Sequence, residues 1–177
     1  MDADVDSVRA EMIALLPRLR RFARVLAGNA ADADDLVQDT VERALTRLSL
    51  WTPGTRLDSW MFRIVQTIWI DQLRAREVRK EDGDVAEERL GTDEPARRIE
   101  ARLALSEIRL AVENLPPDQR ATLMLVTVEG LSYKEAAVVA GVPVGTIMSR
   151  LARARVALQQ QLDAGGGVRR SAKNAEA

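Results

Sequence analysis

Apolar residues recur every three or four positions through most of this chain, and this spacing constrains its fold more than any other feature. In residues 7–27 they fall on one face of a helix: Val8, Met12, Leu15, Leu19, Phe22 and Leu26. No stretch shows the two-residue alternation of a β-strand. We therefore predict an all-α protein, with further helices in residues 31–49, 58–79, 96–114, 118–129, 132–141 and 143–162.

Several residues indicate where these helices start and stop. Pro17 should break or kink the first helix, since it lacks a backbone N–H. Asp58 can cap the start of the third helix. Ser132 and Glu135 have the spacing of a capping box. Pro143 suits the first position of the last helix.

One segment interrupts the helical pattern. Residues 79–95 contain three basic and seven acidic residues, a net charge of −4, and have no apolar periodicity. Such a composition is typical of a flexible, extended linker, which at roughly 3.4 Å per residue could span about 58 Å. We predict a three-helix bundle in residues 1–78, this acidic linker, a four-helix domain in residues 96–164, and a disordered tail in residues 165–177.

The composition excludes several classes of function. The 177 residues include no cysteine and no histidine, so disulfides, thiol nucleophiles, Cys/His zinc sites and Ser-His-Asp triads are excluded. A carboxylate-only enzyme would need acids that converge in a pocket. No apolar run approaches the roughly 20 residues of a membrane span, and the acidic N-terminus is unlike a signal peptide. We expect a soluble, cytoplasmic protein without a cofactor.

The helices on either side of Gly141 have the spacing of a helix-turn-helix. The first is short, the turn is Gly-Val-Pro, and the second is basic, with no acidic residue between Glu135 and Asp163. Small and basic side chains on the outer face of the second helix suit a DNA major groove: Thr146, Ser149, Arg150 and Arg153. The alternative is a helical hairpin with a solvated basic face.

Two other charged surfaces are open to more than one interpretation. Asp35, Asp39 and Glu42 share one face of the second helix, which is either solvated or a docking surface for a basic partner. A catalytic pair of carboxylates is disfavoured because no pocket is predicted opposite them. Four arginines of the first helix are either solvated or face phosphates: Arg18, Arg20, Arg21 and Arg24.

Four motifs resemble the conserved regions of extracytoplasmic-function sigma factors, the two-domain members of the sigma-70 family (group IV). The polymerase-binding helix of that family resembles DADDLVQDTVERA in residues 32–44. Its promoter-reading helix resembles LDSWMFRI and IDQLR, in residues 57–64 and 70–74. Its second conserved domain resembles residues 115–120, 130–137 and 145–155. The order and spacing of the motifs match over most of residues 7–160.

This resemblance implies a role for each motif. The second helix would bind the clamp coiled coil of RNA polymerase through Asp35, Gln38, Asp39 and Arg43. The loop at residues 50–56 and the start of the third helix would capture an unstacked base of the −10 element, with candidates Trp51, Thr52, Thr55, Arg56 and Arg63. The −35 element would contact Thr146, Ser149, Arg150 and Arg153, with Arg155 on phosphate.

Some positions differ from the family pattern or allow an alternative. Met148 stands where relatives often have Lys or Arg, and Thr67 and Trp69 replace the usual Asn and small residue of the third helix. Promoter sequence therefore cannot be transferred from the family. The loop could instead be an ordinary connection in which Trp51 packs on the bundle.

The resemblance implies a sigma factor that directs core polymerase to promoters, helps to melt the −10 element and catalyses no bond chemistry. It further implies an anti-sigma partner, and weakly a general-stress subgroup. We expect a monomer when free. The rival hypotheses are a stand-alone helix-turn-helix regulator, which would bind a duplex operator by itself, and an adaptor that only makes protein contacts.

Overall fold

The computed structural model describes residues 2–81 and 99–175 of the chain. Within those residues the structure contains helices and no strand, as the apolar spacing predicted. The helices are α1 (Asp2–Ala27), α2 (Ala30–Thr46), α3 (Leu57–Glu81), α4 (Ile99–Glu113), α5 (Pro117–Thr127), α6 (Tyr133–Ala140) and α7 (Val144–Ala175). A short 3-10 helix, Leu48–Leu50, follows α2.

Helices α1, α2 and α3 pack together as a bundle. The predicted stripe of α1 is buried from Val8 to Leu26, and Phe22 meets Phe62 of α3 edge to face, with ring centroids 5.3 Å apart. In α2 the buried face includes Leu36 and Thr40, whereas Leu45, which we assigned to that face, is 46% exposed. The apolar face of α2 is therefore rotated slightly from its predicted position.

Two features of this bundle differ from the sequence prediction, the absence of a break at Pro17 and the place of Asp58. Pro17 does not break α1, because buried residues on both sides of it, Leu15 and Leu19, hold the helix against the bundle across the missing hydrogen bond. Asp58 does not precede α3 but lies in its first turn, after Leu57. Its side chain is drawn into ion pairs with Arg18 and Arg56.

Helices α4 to α7 form the second half of the described chain. The capping box of α6 is present: Ser132 Oγ accepts from the Glu135 backbone N–H, and Glu135 Oε2 accepts from the Ser132 backbone N–H at 2.7 Å. Gly141 ends α6 with φ of 65°, a conformation that favours glycine. The first helical residue of α7 is Val144, one position after Pro143.

The C-terminal end of α7 differs from expectation. We predicted a helix to about Leu162 and then disorder, but α7 continues to Ala175. The helix therefore runs through the glycines at 165–167, although glycine has a low helix propensity. Of the predicted linker, residues 79–81 belong to α3, and residues 82–95 lie outside the described part of the chain.

The two halves of the chain share a hydrophobic core. Helix α1 packs against α5, and α3 packs against α6. Met124, Leu125 and Ala136 belong to the same buried cluster as Phe22 and Phe62. A smaller cluster, Leu115, Leu123, Leu151 and Ala154, is confined to the second half. The sequence did not predict this contact between the halves, because apolar spacing shows which face is buried and not which element covers it.

By length and composition, no single helix of the described residues could cross a membrane. The pair Tyr133–Ala140 and Val144–Asp163 passes the same criteria when its two helices are taken together, with a bend of 100° between them.

Candidate polymerase and promoter interfaces

The helix-turn-helix consists of α6, the turn at residues 141–143 and the first part of α7. Ile147, Leu151 and Ala154 are fully or almost fully buried, so α7 is held with its opposite face outward. Met148 is 53% exposed. On this outward side, Thr146, Ser149 and Arg150 are partly exposed, and Arg153 and Arg155 are exposed.

Arg150 has a partner within its own domain. Its guanidinium forms an ion pair with the carboxylate of Asp118, at the start of α5, and its side chain is only 17% exposed. Arg150 therefore needs a change of partner before it can reach a base. The Arg153 side chain is exposed, and within the described residues no ion pair is recorded for it.

The loop between the 3-10 helix and α3 is held in a tight turn. Gly54 has φ of 84°, and both the backbone N–H and the hydroxyl of Thr55 donate to the Thr52 carbonyl, at 3.1 and 2.7 Å. Thr52, Thr55 and Arg56 are exposed. Trp51 packs partly buried against the core. This position agrees better with the alternative interpretation, in which Trp51 packs on the bundle, than with a Trp51 ring that is free to stack on a base.

Beside this loop lies an open cleft of about 400 Å³, lined by Glu11, Leu15, Arg18, Gly54, Thr55, Arg56, Leu57 and Asp58. Asp58 Oδ2 accepts from Arg56 Nη2 at 2.7 Å and from Arg18 Nη1 at 3.1 Å. Burial alone would raise the pKa of Asp58, but hydrogen bonds from Arg56 and the Ser59 backbone outweigh it and lower the pKa to about 2. The carboxylate therefore stays charged and fixes the position of Arg56. Arg63 lies farther along α3 and is exposed.

The acidic face of α2 points to solvent. Asn29 caps the helix through a hydrogen bond from the Asp32 backbone N–H, 2.9 Å long. Asp35, Gln38, Asp39 and Glu42 are exposed, and Arg43 is partly exposed. In this part of the structure no side-chain partner is recorded for Asp35 or Asp39. The face is therefore available for a basic partner.

Six charged residues meet between the two halves of the chain, and sequence reasoning missed this group. We call it the clasp: Arg18, Arg21, Arg56, Asp58, Glu129 and Glu135. Glu129, between α5 and α6, accepts from Arg18 Nε at 2.8 Å and from Arg21 Nη2 at 2.9 Å. Arg56 pairs with Glu135 across the same junction. Arg18 and Arg21 are two of the four arginines that we predicted to be solvated or to face phosphates. Both instead form ion pairs with Glu129 within the protein.

The described residues contain no group of three or more acidic, histidine or cysteine side chains that could hold a metal ion.

A helical chain with a three-helix bundle and a helix-turn-helix that presents basic residues belongs to the class of DNA-binding transcription proteins. Two family models match it: "Sigma2 domain of PhyR" over residues 12–66 and "Sigma-70, region 4" over residues 105–158. The chain is 41% identical to the ECF RNA polymerase sigma factor EcfG of Rhodopseudomonas palustris, over 89% of this chain and 86% of that protein. The chain belongs to the extracytoplasmic-function RNA polymerase sigma factors.

Solved structures agree with this assignment. The sigma factor RpoE of Bartonella quintana, in complex with the anti-sigma factor NepR, has a TM-score of 0.74 and 36% identity, over 88% of this chain and 96% of that one. CnrH in complex with the cytosolic domain of CnrY has a TM-score of 0.63 and 29% identity, over 88% and 90%. The sigma-factor prediction is therefore confirmed, and the stand-alone regulator is not favoured.

Proposed function

We propose that the two halves of this sigma factor divide the work of promoter recognition. The bundle of α1–α3 binds core polymerase and the −10 element, and the helix-turn-helix domain binds the −35 element. The predicted domain boundaries, 1–78, 79–95, 96–164 and 165–177, remain part of this proposal. The observation that supports it most strongly is that the sigma-2 and sigma-70 region 4 matches fall in separate halves, one with the acidic face and loop, the other with the basic helix.

For polymerase binding, we assign the exposed face of α2. Asp35 and Asp39 lie on one side of the helix, where they can meet basic side chains of a partner, and Gln38 and Arg43 border them. Complementary charge across an interface speeds association and suppresses wrong partners.

For the −10 element, the loop and the cleft beside it supply the chemistry that a flipped base needs. Thr52 and Thr55 bring hydroxyl groups to a fixed turn, and Arg56 brings donors held in place by Asp58. We also assign Arg63, which is exposed on α3, to the −10 element. Trp51 supports the loop from the core side rather than stacking on the base. Holding a base out of the stack offsets a few kcal/mol of unstacking.

For the −35 element, the N-terminal part of α7 would enter the major groove. Thr146 and Ser149 suit phosphates, and Arg150 and Arg153 suit guanine edges. Arg155 points off this face and is assigned to phosphate. Arg150 must exchange Asp118 for DNA, and this exchange reduces the net gain from its contact.

The remaining features follow from this role. The protein acts by binding and is not an enzyme, and it works in the cytoplasm, where core polymerase is found. We expect it to be monomeric when free. Because two structural relatives were solved with NepR and CnrY, which are bound to the sigma factors RpoE and CnrH, we propose that an anti-sigma factor holds this chain inactive.

The test compares promoter binding with and without core polymerase. A sigma factor should shift a promoter fragment well only when core enzyme is present, and it should support run-off transcription from that fragment. A stand-alone regulator would bind the duplex tightly by itself, usually as a dimer on a palindromic site. Tight binding without core enzyme, together with no transcription in its presence, would rule out the proposed function.

A further inference from the structure

A row of apolar residues runs along the exposed surface of α7, within the helix-turn-helix. The row follows every fourth position, and all of its members are exposed: Val144, Met148, Ala152 and Val156. Residues four apart on a helix are separated by about 6 Å along its axis and differ by about 40° in direction, so they form one continuous row. We call this row the apolar ridge.

Core packing does not account for the apolar ridge. The buried face of α7 consists of Ile147, Leu151 and Ala154, and the ridge lies outside that face. Met148 is about half exposed, and Val156 is 57% exposed. A single exposed apolar residue is ordinary, because apolar atoms make up much of any protein surface. Four in register on one helix indicate a surface that another molecule covers.

The surroundings of the ridge favour DNA over a protein as that molecule. By helical angle, Arg153 and Arg155 lie on opposite sides of the ridge, and both are exposed. No acidic residue occurs between Glu135 and Asp163, and the segment falls inside the sigma-70 region 4 match. Cationic side chains suit the phosphates and guanine edges of a major groove. The ridge between these two arginines then faces the floor of the groove.

Part of the hydrogen-bonding capacity of this surface is already used within the protein. Arg150 pairs with the carboxylate of Asp118. The hydroxyl of Ser149 donates to the Thr146 carbonyl at 3.0 Å, so its proton is not free for a base. Apolar contacts can therefore carry a larger share of base recognition on this helix than its polar residues alone would indicate.

The base edges of a major groove offer one apolar group, the 5-methyl group of thymine. We propose that the apolar ridge, with Met148 at its centre, recognises thymine in the −35 element through this methyl group. The inference deepens the proposed function, since it rests on the assignment of α7 to the −35 element. Met148 has the longest side chain of the row, and its unbranched, polarizable thioether adapts to the shape of a small apolar group.

The test removes one methyl group at a time. The −35 element preferred by the complex of this protein with core polymerase is first selected from a randomised library by transcription. Each thymine of that element, on either strand, is then replaced by deoxyuridine, which lacks only the 5-methyl group. At one or more positions this replacement should weaken promoter binding by about fourfold, the factor expected when one methyl group is no longer buried.

Substitutions at Met148 assign the effect to the ridge. Because Met148 is exposed, its replacement does not endanger the fold. The complex formed with Met148→Ala should bind thymine and deoxyuridine DNA equally at the position concerned. Met148→Leu keeps an apolar side chain of similar volume and should retain the preference for thymine. Ile108→Ala, at an exposed apolar position of α4, is the matched control and should leave the effect of deoxyuridine unchanged.

Each other outcome overturns the inference. Equal binding of thymine and deoxyuridine by the unsubstituted protein at every position would do so, as would a selected element without a preferred A·T pair. An undiminished deoxyuridine effect in Met148→Ala would show that another residue contacts the methyl group. Weaker core polymerase binding by Met148→Ala, with the deoxyuridine effect unchanged, would assign the ridge to a protein contact.

Failure of the proposed function gives a different result. Transcription that does not change when the −35 element is scrambled would reject the assignment of α7 to that element, and this inference with it. Transcription that depends on the −35 element but not on any of its methyl groups would reject the inference alone.

Discussion

Asp58 stabilises the fold only while it is charged. Its pKa falls from the ordinary 3.8 to about 2, which corresponds to at most about 2 kcal/mol after screening by solvent. Between these two values the unfolded chain binds more protons than the folded one, so this contribution is complete above about pH 4 and is lost as the pH falls toward 2.

We predict that Asp58→Asn lowers the free energy of unfolding by about 2 kcal/mol at pH 7, and that the difference from the unsubstituted protein shrinks below about pH 4. Urea unfolding at several pH values measures both effects. Asp163→Asn, on an exposed part of α7, is the control and should change little. A difference that is the same at pH 2.5 and pH 7 would show that the charge of Asp58 is not the cause.

At the recognition helix, single arginines should carry promoter affinity. We predict that Arg153→Ala weakens −35-dependent transcription by roughly 1–3 kcal/mol, if its contact is a bidentate pair with guanine, and that Arg150→Ala weakens it by less, because Arg150 must first give up Asp118. Transcription from promoters with intact and scrambled −35 elements measures the effect. Ala157→Ser, farther along α7, should be nearly neutral. If both arginine variants fold and transcribe normally, this helix does not read the −35 element.

At the scale of elements, the binding role of the acidic face of α2 can be tested without disturbing the fold. Asp35 and Asp39 are exposed, so charge reversal costs little stability, whereas like charges across an interface cost several kcal/mol. We predict that Asp35→Arg or Asp39→Arg abolishes binding to core polymerase and leaves the melting temperature nearly unchanged. Asp6→Arg, the same change on exposed α1, is the control. Normal polymerase affinity in both α2 variants would show that this face is solvated and does not bind polymerase.

The base preference of the −10 loop should follow the loop when it is exchanged between relatives. Because Gly54 and the Thr52–Thr55 hydrogen bonds fix the turn, replacing residues 50–55 by those of a relative should change which −10 base is preferred. The −35 preference and polymerase affinity should not change. Selection on a randomised −10 library makes the measurement. An identical base preference after the exchange would mean that the loop is only a connection. Arg56 should be kept in the graft, because it also pairs with Asp58 and Glu135.

Elements were predicted well where their signals are local. The capping box of α6, the glycine stop at Gly141 and the buried stripe of α1 each depend on residues a few positions apart. A break at Pro17 was not found because packing on both sides of it holds α1 together, and Asp58 does not cap α3 from outside because one of its partners, Arg18, lies 40 positions away. Local patterns cannot contain such information.

The same limit applies to the candidate sites. Exposure of the acidic face and of the basic helix followed from periodicity. The clasp did not, since Glu129 is separated from Arg18 by 111 positions and nothing near Glu129 in sequence marks it as buried. A single glutamate between two helices is ordinarily solvated.

At the scale of the whole molecule, the shared core should couple the stability of the two halves. Leu125 is fully buried in the cluster common to both, and Leu151 is 2% exposed in the cluster of the second half. Each Leu→Ala change should cost about 2–5 kcal/mol. We predict that Leu125→Ala speeds hydrogen exchange in α1 and α3 as well as in α5–α7, while Leu151→Ala does so only in α4–α7. Equal patterns for the two variants would contradict a shared core.

The two oxygens of Glu135 have separate tasks. Oε2 accepts the Ser132 backbone N–H and caps α6, while Oε1 receives Arg56 from the other half. The Arg56 contact can therefore be lost while the cap remains. Glu135→Gln keeps an amide oxygen that can accept the Ser132 backbone N–H, but it removes the negative charge that attracts Arg56. One conservative substitution would thus separate the folding of α6 from the contact between the two halves.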